Sequence, residues 1–179
     1  MVAGETARAS CDVFDEWGNP IEAAAVEVVT DTTGAGITIA DRDLTLERAG
    51  EYEVSCQVAG AQETTSATLE VTPGLPAGLA VARAPELPVY GIGQVVAVDT
   101  IVTDAYDNVI EDAPVMFSSA PSGRAFGQGR FRYLDEGLYT VTAIVTPPTH
   151  NNVALSGSVD FLINGTGPEI ECLSPVNAT

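Results

Sequence analysis

The chain repeats itself. "DEWGNPIEAAAVEVV" starts at Asp15 and "DAYDNVIEDAPVMFS" at Asp104, so an Asp, an aromatic, an Asn and an Ile-Glu pair recur in order, 89 residues apart. The match extends outward, pairing Gly4 with Gly93, Ala9 with Val98, Val13 with Val102, Val26 with Val115 and Val28 with Phe117. The offset becomes 87 at "GEYEV" and "GLYTV", which align Tyr52 with Tyr139, and 92 at Val71 and Ile163. Drifts of this size are loop-length changes between corresponding elements. Such a repeat confines the chain to two like domains in tandem, and 179 residues leave room for two small cores.

Within each copy the hydrophobic period is two. Ala7, Ala9, Cys11 and Val13 alternate with Arg8, Ser10 and Asp12, and Tyr52, Val54, Cys56 and Val58 alternate with polar residues. Val96, Val98, Thr100 and Val102, and Tyr139, Val141, Ala143 and Val145, repeat the pattern. These are half-buried antiparallel strands with one dry face. No segment keeps a helical period, and turn residues separate short strands, which predicts an all-β fold of two tandem immunoglobulin-like sandwiches. In that lettering the first copy has B over 5–14, C 24–30, E 43–48, F 51–59 and G 64–72. The second has A over 77–84, B 94–103, C 114–119, E 129–135, F 138–146 and G 156–164. The expected domains are 1–73, without a strand A, then 74–166, then 167–179 as the start of a third, with "TPGLP" as a stiff linker.

Charge excludes several functions. Twenty-five acidic residues oppose seven basic ones, all Arg, for a net charge of −18. Such a chain repels phosphate backbones and anionic membranes, so nucleic acid is not an expected partner. No apolar run reaches the roughly 20 residues of a membrane span. "MVAGETARAS" lacks an apolar signal core, so an export signal or anchor is expected outside this sequence.

"DEWGNPI" and "DAYDNVI", with "GEYEV" and "GLYTV", resemble the tandem bacterial immunoglobulin-like domains of surface proteins, the invasin- and intimin-type repeats. Their "D-x-x-G-N-P-V" segment lies between strands B and C. The second copy has Asp107 for Gly and Val109 for Pro, so a looser turn is expected there. The resemblance implies a bacterial surface or secreted protein, extracellular, whose partners are neighbouring domains of its own chain or a protein or glycan ligand. It implies a B–F disulfide between Cys11 and Cys56, the alternative being two buried thiols; Thr100 and Ala143 replace both in the second copy. Cys172 then has no partner in these two domains. Tyr52 and Tyr139, two residues after a Gly, match the tyrosine corner that starts strand F.

Topology places the turn Asp104–Asn108 beside the linker and the end of the first domain. The turn Asp15–Asn19 is expected to face a preceding domain. Asp15 and Asp104 are expected to cap their turns through backbone N–H groups. Asp104, Asp107 and Asn108 are also the candidate ligands for Ca²⁺, which takes six or more oxygens; no other cofactor is expected. Trp17, matched by Tyr106, is expected half exposed against its own turn and is the candidate anchor for a sugar or protein. Arg124, Arg130 and Arg132 form a basic spot facing water. His150 sits in a Pro- and Asn-rich loop, and no nucleophile elbow, phosphate loop or zinc spacing is present. The expected role is a non-catalytic stalk or adhesive module. The alternatives are a ligand-binding module or an accessory domain of an extracellular enzyme.

Overall fold

The structure, a computed structural model, describes residues 1–22, 24–60 and 65–165. The expected strand over 167–179, and Cys172 with it, lie outside the described residues. The described residues form fourteen strands and no helix. The chain divides into two compact units. One is Met1–Pro76 together with Thr103–Ile110; the other is Ala77–Val102 with the chain from Glu111 onward.

In the first unit, β1 (Thr6–Arg8), β4 (Asp43–Leu46) and β3 (Ile37–Ala40) form one sheet, in that order. β2 (Val26–Thr30), β5 (Gly50–Val58) and β6 (Ser66–Val71) form the other. All pairings are antiparallel. The orders are B-E-D and C-F-G, an immunoglobulin-like sandwich. Alternation sets the inner face: "DLTL" of β4 sends Leu44 and Leu46 inward and leaves Asp43 and Thr45 at the surface. Ala3, Leu44, Leu46, Tyr52 and Val71 make the core, with Ile37, Val54 and Leu69 packed against it.

The second unit repeats the plan with one strand more in each sheet. β11 (Arg124–Ala125), β12 (Arg130–Arg132), β9 (Val95–Thr103) and β7 (Gly78–Ala84) form one sheet. β10 (Val115–Ala120), β13 (Gly137–Val145), β14 (Leu155–Asn164) and β8 (Tyr90–Gly91) form the other, β8 pairing parallel to β14. Its core is more aromatic. Phe131, Tyr133 and Phe161 stand where the first unit has Leu44, Leu46 and Leu69. Tyr133 stacks on Tyr139 at 3.9 Å, and Tyr90 meets Phe161 edge-on at 5.1 Å.

Cys11 and Cys56 form a disulfide, with Cα atoms 6.2 Å apart and 45 residues between them in sequence. Closing a loop of that length stabilises a domain by about 4 kcal/mol in the chain-entropy model. The smaller core of the first unit carries the bridge; the larger aromatic core has Thr100 and Ala143 instead.

Strand B of the first unit is shorter than its sequence period predicts. β1 ends at Arg8, and Cys11 lies beyond it rather than in mid-strand. β9 is nine residues long and pairs on both sides, with Val96 and Val98 buried. Among the described residues β1 pairs only with β4, and Ala7 and, just past its end, Ala9 stand at those places, so it has half the ladder and less apolar surface. Strands β3, β8 and β11 have too few residues for a period to register.

Candidate functional site

The repeated turn is the most elaborate polar structure among the described residues. In the first copy Asp15 closes it. Its Oδ1 accepts from the N–H groups of Trp17 (2.9 Å) and Asn19 (2.8 Å), and its Oδ2 from the Asn19 side-chain amide (2.9 Å). The backbone closes the same ring, Asp15 N–H to Asn19 C=O at 2.9 Å and Gly18 N–H to Asp15 C=O at 3.0 Å. The Asn19 side chain and these N–H groups hold the Asp15 carboxyl below its usual pKa. Trp17 stands at the tip, 78% exposed, instead of half buried against the turn. Phe14 and Ile21, on the flanks, are exposed too.

The second copy makes the same ring. Asp104 Oδ1 accepts from Tyr106 N–H (2.8 Å) and Asn108 N–H (3.0 Å), and Asp104 N–H donates to Asn108 C=O at 3.0 Å. The ring stays closed, and the expected loosening is confined to one bond, Asp107 N–H to Asp104 C=O at 3.3 Å against 3.0 Å in the first copy. Asp107 adopts a φ of 64° where Gly18 has 81°, because Asp tolerates the left-handed region. Val109 bridges Thr103 as Pro20 bridges Phe14.

The surroundings differ. The segment Thr103–Ile110 packs as part of the first unit, and Asp104 and Asn108 are buried. Gly74, in the "TPGLP" segment, donates its N–H to Asp104 Oδ2 at 2.8 Å, and the Asn108 amide donates to the same oxygen at 2.8 Å. All four acceptor directions of the carboxylate are thereby filled by N–H donors. Burial alone would raise the Asp104 pKa; the Asn108 amide and the N–H groups of Gly74, Asn108 and Tyr106 outweigh it and lower it. Asn108 also donates to Glu47 C=O at 2.7 Å and accepts from Ala49 N–H at 2.9 Å. Arg48 donates to Tyr106 C=O at 2.9 Å. The Tyr106 ring covers Gly4, where a Cβ would overlap it.

Gly4, Glu47, Arg48, Ala49 and Gly74 thus form a socket that the repeat alone did not reveal. Three of the five contribute only backbone donors or acceptors, which leave no mark on residue type. The one visible signal was Gly4 recurring as Gly93.

The remaining candidates lie elsewhere. Tyr52 Oη donates to Arg48 C=O at 2.9 Å and Tyr139 Oη to Asp135 C=O at 3.0 Å, the same corner in both units. Arg124 and Arg132 lie over the Phe126 ring, 5.5 and 5.2 Å from its centre, so this basic spot is a cation–π stack. His150 is exposed. Among the described residues no three His, Cys, Asp or Glu side chains converge as a metal site would need.

No protein-family model matches the chain, and no curated protein sequence matches it. Solved structures do. One is FdeC, an Escherichia coli adhesin, at 19% identity and a TM-score of 0.47, over 92% of this chain and 61% of that one. Another is domains 5–6 of the S-layer protein SbsC, at 15% identity and a TM-score of 0.32, over 91% of each chain. A third is a C-terminal 282-residue fragment of intimin in complex with the intimin-binding domain of its translocated receptor, at 16% identity and a TM-score of 0.33, over 86% and 56% of the chains. This chain thus spans about three fifths of the adhesin structure. These likenesses are of fold.

Proposed function

We propose that the chain is a non-catalytic stalk or adhesive segment of a bacterial surface or secreted protein, built to hold shape under tension. One observation carries this reading. The polar groups of the buried turn are spent on backbone: the carboxylate of Asp104 and the amide of Asn108 bond to Gly74, Glu47, Ala49 and their own turn. The Asp104 carboxylate so saturated is a fastening, with none of its four acceptor directions left for a substrate. The Cys11–Cys56 bridge supports an oxidising, extracellular setting. The long F–G ladder from Gly137 to Val145 against Leu155 to Ile163 supports resistance to extension.

The test is force spectroscopy on the full chain. Two unfolding events are expected. In the event from the first unit, the 45-residue disulfide loop stays closed. Reduction should lengthen that event by about 15 nm, from roughly 3.5 Å per residue. Extension of both units without a resolvable force peak would overturn the reading.

A second reading rests on Trp17. Its 78% exposure, beside exposed Phe14 and Ile21, suits a protein or glycan ligand that stacks on the indole.

A further inference from the structure

Arg124, Arg130 and Arg132 are three of only seven arginines in a chain whose net charge is −18, and they share one surface of the second unit. Phe131 and Val96 are buried, so alternation turns Arg130 and Arg132 of β12, with Val95 and Ala97 of β9, to the outer face of their sheet. Arg124 of β11 stands directly opposite Arg132. Like charges placed so across a strand pair are destabilising, and no carboxylate offsets them. Among the described residues Arg8 pairs with Asp41 and Asp43, and Arg83 with Glu86, but none of these three arginines has an ion pair. Asp99, the carboxylate on this face of β9, is exposed and makes none either.

An aromatic ring orders the pair. Both guanidiniums lie over Phe126, which the turn into β12 fixes by donating its N–H to Arg130 C=O at 2.9 Å. The ring is itself 48% exposed. No acceptor among the described residues reaches either guanidinium, and Arg132 Nε is buried without a hydrogen-bond partner. Two neighbouring guanidiniums with unused donors form a fork that matches an oxyanion. Ordering them before the ligand arrives lowers the cost of binding it.

We propose that Arg124, Arg132 and Phe126 bind a sugar carrying one carboxylate, a terminal uronic acid of a glycan. The guanidiniums take the carboxylate, Arg130 adds positive charge beside them, and Phe126 gives the C–H face of the sugar an apolar surface. Charge narrows the ligand. A net charge of −18 repels polyanions such as nucleic acid, sulfated polysaccharide or an anionic membrane. A single negative group on an otherwise neutral body meets only the local arginines. Shape argues against a peptide: β11, the edge of this sheet, has two residues, too short a ladder to hold an added strand. The site lies within the second unit and does not depend on the stalk reading.

The probes are methyl glucuronide, methyl glucoside, acetate and the N-acetyl, C-amide derivative of glutamate, each titrated into the full chain. The readout is the NMR shift of the arginine Nε–H groups and the Phe126 ring. The glucuronide is expected to shift Arg124, Arg132 and Phe126 saturably. The glucoside, which lacks the charge, should bind at least about tenfold more weakly, as loss of a charged hydrogen bond requires. Acetate should bind more weakly than the glucuronide, because it has no sugar face. Arg124→Gln, at an exposed position, should weaken the glucuronide about tenfold with the backbone spectrum otherwise unchanged, and Arg8→Gln should leave its affinity as it was. Phe126→Leu should weaken the glucuronide more than acetate. No saturable shift, equal binding of glucuronide and glucoside, or full affinity in Arg124→Gln would overturn the site. Acetate or the glutamate derivative binding as tightly as the glucuronide would overturn the sugar as its ligand.

Discussion

Asn19 and Asn108 occupy the same place in the repeated motif, yet their removal should have unequal effects. Asn108→Ala deletes the amide that donates to Glu47 C=O and Asp104 Oδ2 and accepts from Ala49 N–H. Two part-buried backbone groups and one carboxylate oxygen lose a partner. A buried group left unsatisfied costs about 1–3 kcal/mol, less where water reaches it, so the expected loss is about 3 kcal/mol. Asn19→Ala removes an amide that bonds only to Asp15, in an exposed turn whose backbone ring survives. The cost there is about 0.5–1 kcal/mol. The two units can unfold separately, so a single melting midpoint would blur the comparison. Hydrogen exchange resolved to peptides separates them. Ala49 and Gly74 should exchange about a hundredfold faster in Asn108→Ala, since each 1.4 kcal/mol is tenfold, and hardly faster in Asn19→Ala. Equal losses from both substitutions, or a loss below about 0.5 kcal/mol at Asn108, would refute the account of the socket.

Two more outcomes follow from the same residues. The folded pKa of Asp104 lies below its unfolded value of about 3.9, so its contribution is fully present above that pH and is lost as pH falls through the folded value. Stability of the first unit should therefore fall more steeply in the native chain than in Asp104→Asn as pH drops below the unfolded value of about 3.9; parallel curves would count against it. Gly4 and Gly93 share a left-handed φ, 82° and 77°, but only Gly4 has a ring over it. Gly93→Ala should cost about 1–2 kcal/mol for the backbone alone, and Gly4→Ala clearly more, with melting of each unit as the check and equal costs as the contrary result.

The fold was legible because the repeat and the two-residue period both act through residue type. Tyr52 and Tyr139 fall at the same corner, and Val54 and Val141 on the same inner face, so the sandwich could be written down strand by strand. Strand ends were less legible. β1 stops at Arg8 although the alternation continues to Val13, because pairing on one side only does not sustain it. The turn itself was visible as Asp, aromatic and Asn, and its internal hydrogen bonds followed from Asx chemistry. Topology put the turn beside the linker that holds Gly74, but the groups that Asp104 and Asn108 bond to were not visible. Glu47, Ala49 and Gly74 meet them through the main chain, and any residue type presents the same carbonyl and N–H. Trp17 shows the converse: its indole, matched to half-buried Tyr106, stands almost fully in solvent.

The unequal cores bear on how the chain folds. Two similar sandwiches in succession invite strand exchange, the characteristic failure of repeat proteins. Here an exchanged strand would not fit. β4 placed in the second unit would offer Leu44 and Leu46 where Phe131 and Tyr133 fill the interior, leaving voids that cost about 1 to several kcal/mol. β12 and the Tyr133 that follows it, placed in the first unit, would force two aromatic rings into space cut for leucines. Leucine on one side and aromatics on the other thus act as an address, returning each strand to the sandwich that matches its volume.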